Sequence, residues 1–233
     1  MATAAEPLTV SYFERPPYYY TDAVGEPGGF LLERTRNILR QAGVEAKFLA
    51  LTPYQILYVL RHAMVPHCSI GWFKNAQREQ FAKFSEPIYR NRDLVLLTTK
   101  AQLPRFSDLK TLRAIFSDRH LTMARMGGFS YGSYVDDLLE KLTPKTLFLA
   151  GEQGCLLRAV AAQRASYMLV APEEIDTLIG LTGLSAGAVV AIPLADVPVG
   201  NLRYLMCNRA VTDETLEQLN RTIDKLYPLQ TAD

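Results

Sequence analysis

Hydrophobic and polar positions follow two periods in turn along this chain. Leu8-Thr9-Val10-Ser11-Tyr12-Phe13-Glu14 alternates and predicts a strand, which Arg15-Pro16-Pro17 ends. Leu31, Thr35, Ile38, Leu39 and Ala42 are then spaced as on one helix face, and Gly43 supplies a C-cap. Lys47 to Leu51 predicts a second strand. A helix follows from Pro53 to about Met64, with proline at the first helical position, and then a third strand, Cys68 to Phe73. Strand–helix–strand–helix–strand implies parallel pairing through right-handed crossovers.

The pattern then starts again. Strands are predicted at Asp93–Thr99, His120–Arg125, Thr146–Leu149 and Tyr167–Val170. Helices are predicted at Ser107–Phe116, from the glycine-rich stretch Met126–Gly132 to Leu142, at Cys155–Gln163, and from Glu173 to about Ile179. This is a second α/β unit. Val189–Ile192 returns the chain, Asn201–Cys207 is a further strand, and a helix capped by Thr212 or Asp213 closes at Tyr227.

Charge narrows the partners. Lys+Arg 25 against Asp+Glu 24 gives a net charge of +1, with no electrostatic case for nucleic acid. No apolar run approaches the roughly 18 residues of a membrane span. Cys68, Cys155 and Cys207 show no metal spacing, and no metal or cofactor is expected. In an oxidising compartment one pair could bridge; three buried thiols are the plainer alternative. Met1–Pro7 has no basic or apolar leader region, yet Ala2-Thr3-Ala4 before Ala5-Glu6 looks like the small-residue end of one. That predicts an exported protein whose leader lies upstream of Ala2.

The chemistry concentrates between Cys68 and Tyr89. A strand end delivers Gly71, Trp72, Phe73, Lys74 and Arg78 within eight residues, followed by a short helix from Arg78 to Ala82 and Phe84-Ser85-Glu86-Pro87-Ile88-Tyr89. Arginine offers a rigid fork of donors that matches a carboxylate, and aromatic rings supply apolar walls. This segment resembles the signature of the family 3 extracellular solute-binding proteins, of the periplasmic amino-acid-binding type. That signature is a strand, a Thr-x-x-Arg turn and Phe-Ser-x-Pro-Tyr. Asn75 stands here for the threonine, and Arg78 and Phe84-Ser85-Glu86-Pro87 with Tyr89 match the rest.

The resemblance implies an α/β, two-lobed periplasmic binding protein type II fold, each lobe a mixed sheet flanked by helices. Lobe 1 would comprise residues 6–97 and 191–233, and lobe 2 residues 98–190, with hinge crossings near Leu96–Lys100 and Val189–Pro193. It implies a small-molecule ligand held between the lobes, a periplasmic location, a monomer, and an ABC permease or membrane sensor as partner. It also implies that Cys68 and Cys207 lie close together; a bridge between them and two separate thiols both stay open.

The resemblance assigns candidate ligand contacts too. Arg78 matches the arginine that binds the ligand carboxylate; otherwise it is a surface arginine on a helix. Trp72 could wall the ligand or fill the core, and Lys74 could add a second positive contact or face solvent. Tyr18 falls where an aromatic stacks on the ligand, or the run Tyr18-Tyr19-Tyr20 packs the lobe. Ser130 and Tyr131 fall on a Gly-Thr-Thr-like step whose N–H groups and helix dipole would seat an anion, or Ser130 simply caps the helix. Gln153 begins the next helix. The aspartate that holds a ligand ammonium is replaced by Ala171-Pro172, with Glu173 or Glu174 as substitutes. The expected ligand is therefore a carboxylate-bearing or aromatic molecule rather than a standard α-amino acid.

No enzyme motif is present: no Gly-x-Ser-x-Gly, HExxH or P-loop. The enzymatic alternative resembles cyclohexadienyl dehydratase, with Glu173 acting as an acid beside a carboxylate bound at Arg78. A ligand-free sensor or interaction module is the third reading.

Overall fold

A computed structural model describes residues 7–228. The small-residue stretch at the N-terminus lies outside the described residues. Contacts divide the chain into unit 1, running to Arg90 and resuming at Leu202, and unit 2, Asn91–Asn201.

Unit 1 is built on β1 (Leu8–Tyr12). A short hairpin, β2 (Tyr20–Thr21) and β3 (Pro27–Gly28), leads to α1 (Phe30–Gln41), β4 (Ala46–Ala50), α2 (Pro53–His62) and β5 (His67–Trp72). Helix α1 buries Leu31, Leu32, Thr35, Ile38 and Leu39, and Gly43, at φ 67°, takes the left-handed conformation that ends it. Helix α2 starts in a capping box between Thr52 and Gln55, with Pro53 behind it. Strands β4 and β5 pair parallel on either side of β1, as the strand–helix order requires. Every residue of β5 is buried, so it is a central strand. The chain continues through α3 (Ala76–Glu79), β6 (Lys83–Phe84) and β7 (Tyr89–Arg90).

Unit 2 opens with β8 (Val95–Thr99), α4 (Leu112–Ser117), β9 (Met123–Met126), α5 (Ser133–Leu142) and β10 (Thr146–Leu149). It continues with α6 (Gly154–Ala161), β11 (Met168–Val170), α7 (Ile175–Thr182) and β12 (Val189–Pro193). Strands β9 and β10 are parallel; β11 and β12 flank β8 antiparallel. One core joins Phe106, Leu112, Ile115, Phe116 and Met123 to Val135, Leu138 and Leu139 of α5. A second packs Ala124, Met126 and Met168 on Leu156, Leu157 and Val160 of α6.

Returning to unit 1, β13 (Leu202–Cys207) pairs antiparallel with β5, β6 and β7. The resulting sheet runs β4-β1-β5-β13-β6. Helix α8 (Asp213–Leu226), capped by Thr212, packs on α1, where Asn37 Nδ2 donates to the Tyr227 hydroxyl at 2.9 Å. Cys68 and Cys207 are register partners and form a disulfide.

Several boundaries differ from the sequence reading. Strands β8 and β12, expected as the crossings, pair with each other inside unit 2, and the chain changes unit at 90/91 and 201/202 instead. The helix expected over 107–116 is a 3-10 turn at Leu103–Phe106 followed by α4. Asp196 explains the late start: its carboxylate accepts the backbone N–H groups of Leu112 and Arg113, and Thr111 caps the same end. Strand β9 begins at Met123 rather than at His120 because Asp118 turns the chain by accepting the His120 N–H at 2.8 Å. Among the described residues no helix is long and apolar enough to cross a membrane, and no cluster of side chains could hold a metal ion.

Candidate functional site

In unit 1 the candidate residues gather where β5 leaves the sheet. Gly71 adopts φ 79°, and the β5–β13 register shifts there: Leu205 faces Ile70 while Tyr204 faces Trp72. The extra residue is a β-bulge, a device that re-aims the side chains after it. Only glycine fits, since a Cβ would lie 2.6 Å from Cε1 of Tyr19. The bulge turns the Gly71 carbonyl out of the ladder toward Arg203, whose Nη1 donates to it at 2.8 Å and to the Tyr19 hydroxyl at 3.4 Å. Arg203 is 1% exposed, and its guanidinium also stacks over the rings of Tyr18, at 4.1 Å, and Phe73, at 5.0 Å.

Past the bulge, Trp72 donates its indole N–H to Ser69 Oγ at 2.8 Å, and Ser69 donates to the Ser11 carbonyl at 2.9 Å. The ring is thereby fixed, with Phe13 edge-on to it at 5.8 Å. Helix α3 begins two residues earlier than the sequence suggested, because Asn75 is its N-cap and accepts the Arg78 N–H at 2.9 Å. Arg78 therefore sits inside the helical turn. Its Nη1 donates to the Phe73 carbonyl at 2.6 Å, and its guanidinium lies 4.7 Å from the Trp72 ring centroid. The sequence motif thus brings Arg78 and Trp72 into contact and leaves the arginine half-buried.

Lys74 and Tyr18 both make contacts within unit 1. Lys74 Nζ is 3.1 Å from Glu79, which offsets its charge within the same turn. Tyr18 is fully buried, its ring set against Arg203, Phe30 and Tyr89. The motif's tail is structural: Ser85 exchanges hydrogen bonds with Leu205.

In unit 2 the glycine-rich turn before α5 holds a carboxylate of its own. Ser130 Oγ and the Tyr131 N–H both donate to Asp136, and the Gly132 N–H donates to Ser130 Oγ at 3.1 Å. The donors expected to receive a solute anion are directed at this side chain. Gly132, at φ 96°, has no room for a Cβ beside Asn201, which donates to the Tyr131 carbonyl at 2.8 Å. Gln153 is the N-cap residue of α6 and is half-buried, with no side-chain hydrogen bond to the cap. Glu173 Oε1 accepts the Arg92 N–H at 2.8 Å, beside the segment where the chain enters unit 2. Ala171, where an ammonium-binding aspartate was sought, is 1% exposed.

The model of the bacterial extracellular solute-binding proteins, family 3, matches residues 8–232. The chain belongs to that family. Solved structures agree on the fold. An ancestral arginine-binding protein bound to arginine aligns at TM-score 0.72 and 15% identity, over 94% of this chain and 91% of that one. A histidine kinase sensor domain with similarity to periplasmic binding proteins gives 0.72 and 18%, over 95% and 90%. An ancestral amino-acid-binding protein, described as a precursor of cyclohexadienyl dehydratase, gives 0.70 and 17%, over 94% and 88%. A comparison with curated protein sequences found no match.

Three residues of this family 3 chain escaped the sequence reading. Arg203 lies in a strand pattern, Leu202 to Cys207, where one charge among apolar residues reads as the solvent face. Leu202 and Tyr204 on either side of it are only partly buried, so nothing local marks it as a core residue. Asp136 sits in an ordinary acidic first turn, and only the turn's backbone shows what it caps. Arg125, in the apolar run of β9, carried the clearest signal: a lone cation inside a short strand ahead of a glycine turn.

Proposed function

We propose that this protein binds a small carboxylate-bearing or aromatic solute in the periplasm, as the binding component of an ABC transporter or a membrane sensor. The observation that carries the reading is Arg78 stacked on Trp72 and tethered to the Phe73 carbonyl. A guanidinium held by its own turn loses little freedom on meeting a carboxylate. Unit 1 contributes Arg78 and Trp72, with Tyr18 acting behind them through Arg203 and Lys74 balanced by Glu79. Unit 2 contributes Tyr131 and Gln153, Ser130 holding the turn and Glu173 the chain entry. Each unit supplies one part of the site, and binding biases the protein toward the state in which both parts engage.

The test has two stages. Mass spectrometry of small molecules co-purified with the protein, followed by thermal shift with small acids, identifies the solute class. Calorimetry then compares the protein with Arg78→Ala. Loss of at least about tenfold in affinity, the worth of one charge-assisted hydrogen bond, is expected. Unchanged affinity would remove Arg78 as anchor. Turnover of prephenate would replace binding by the dehydratase reading, and no response to any acid would leave the interaction module.

A further inference from the structure

Arg125 occupies an unusual setting within unit 2. It lies on β9 directly opposite Phe148 of the parallel strand β10. Its guanidinium stands 5.8 Å from the Phe148 ring centroid and 5.9 Å from that of Tyr131. Its Nε is shielded from solvent and makes no hydrogen bond among the described residues. Phe148 is 62% exposed.

A shielded N–H donor without a protein partner is held at a cost, and such groups mark places where something else completes the bonding. Here the donor belongs to a permanent cation between two rings. Arginine beside aromatic faces suits planar acids: the fork binds the carboxylate, and the rings cover the apolar remainder. Both strands reach this point at their C-terminal ends, the side of a parallel sheet where ligands enter. The adjacent turn offers no rival seat, since Asp136 already takes the Ser130 hydroxyl and the Tyr131 N–H.

We propose that Arg125, Tyr131 and Phe148 form an anion site in unit 2 that takes an aromatic carboxylate. This builds on the solute-binding reading by adding a second anion site, separate from the Arg78 anchor, and it rests on unit 2 alone. Benzoate is the simplest probe, with acetate as the control that lacks a ring.

The decisive measurement is the Arg125 Nε–H resonance of the ¹⁵N-labelled full chain, assigned by its disappearance in Arg125→Lys. Benzoate should shift it saturably, and acetate should bind several-fold more weakly. Calorimetry should show roughly tenfold weaker benzoate binding in Arg125→Gln and several-fold weaker binding in Phe148→Ala. Arg78→Ala should leave the resonance response in place, which separates this site from the anchor in unit 1. A resonance indifferent to benzoate, a benzoate affinity unchanged in Arg125→Gln, or a response lost in Arg78→Ala would each overturn the proposal. Amide spectra of each variant confirm that it is folded before it is titrated.

Discussion

The guanidinium of Arg203 lies 4.1 Å from the centroid of the Tyr18 ring, and both side chains are buried. The aromatic that the resemblance singled out has an internal cation against its ring. Arg203 also holds the Gly71 carbonyl that the β5 bulge turns away from the sheet. It is therefore the support behind the Trp72–Arg78 turn.

Arg203→Ala should cost about 2–4 kcal/mol of stability. It removes a stacked side chain and leaves the Gly71 carbonyl without this donor. Urea unfolding would show a lower midpoint. Arg203→Lys should recover only part of the loss, because an ammonium cannot lie flat on Tyr18 and Phe73 while donating to Gly71. Equal stability of the alanine variant and the parent would show that the bulge is held without Arg203.

The disulfide gives a second prediction. Cys68 and Cys207 are 139 residues apart in sequence, so their bridge closes most of the chain. On the chain-entropy account a loop of that length contributes about 4–5 kcal/mol. The double variant Cys68→Ala, Cys207→Ala should lose roughly 2–5 kcal/mol in denaturant titrations. Thiol counting under denaturing, non-reducing conditions should find only Cys155 reactive in the parent. Burial raises the Cys155 thiol above its ordinary value, so its native-state alkylation near neutral pH should be slow.

Much of this architecture was legible from period alone. The Thr146–Leu149 strand matches its observed ends, and the helix read from Leu31 to Ala42 ends within a residue of α1, where strong periodicity meets the stop signal of Gly43. What failed was decided by side chains far away in sequence. Asp196 fixes the start of α4 across more than eighty residues, and no local window contains it. The site divided along the same line. The contact between Arg78 and Trp72 was legible because both residues lie in one turn. Arg203 and Asp136 were not, since a strand arginine and a helix-start aspartate look ordinary until their partners are placed. Tyr18 was in the right region, but its partner turned out to be Arg203.

His67 makes stability depend on pH. It is buried, and its Nε2 is 2.9 Å from Ser11 Oγ, which donates its own proton to the Cys68 carbonyl. Burial, with Lys47 adding to it, holds the His67 pKa below the ordinary 6.5. The unfolded chain then takes up a proton more readily than the folded one. The contribution of the neutral ring is complete above pH 6.5 and is lost as pH falls from there toward the lowered folded value. Unfolding free energies measured across this window should decline on acidification, and less steeply in His67→Gln. Parallel slopes would assign the decline to other groups.

Asp136 poses the sharpest question about unit 2. Its carboxylate takes the Ser130 hydroxyl and the Tyr131 N–H at the start of α5. In effect the protein supplies its own anion to the seat that the Gly-rich turn builds. Asp136→Ala should cost about 1 kcal/mol, the usual worth of a helix-end carboxylate with its hydrogen bonds. It should also release the Ser130 hydroxyl and one backbone donor at the positive end of a helix. On an Arg125→Gln background, which removes the neighbouring site, acetate titrations followed by the amide resonances of Tyr131 and Gly132 should show weak, saturable binding in Asp136→Ala and none at this turn in its Asp136 parent. Asp136→Asn should stay silent, since its amide oxygen still accepts from the turn. Acetate binding to this turn in the parent would mean that Asp136 yields to a solute and that the turn, not Arg125, is the anion seat of unit 2. Silence in the alanine variant would mean that these donors serve the fold alone.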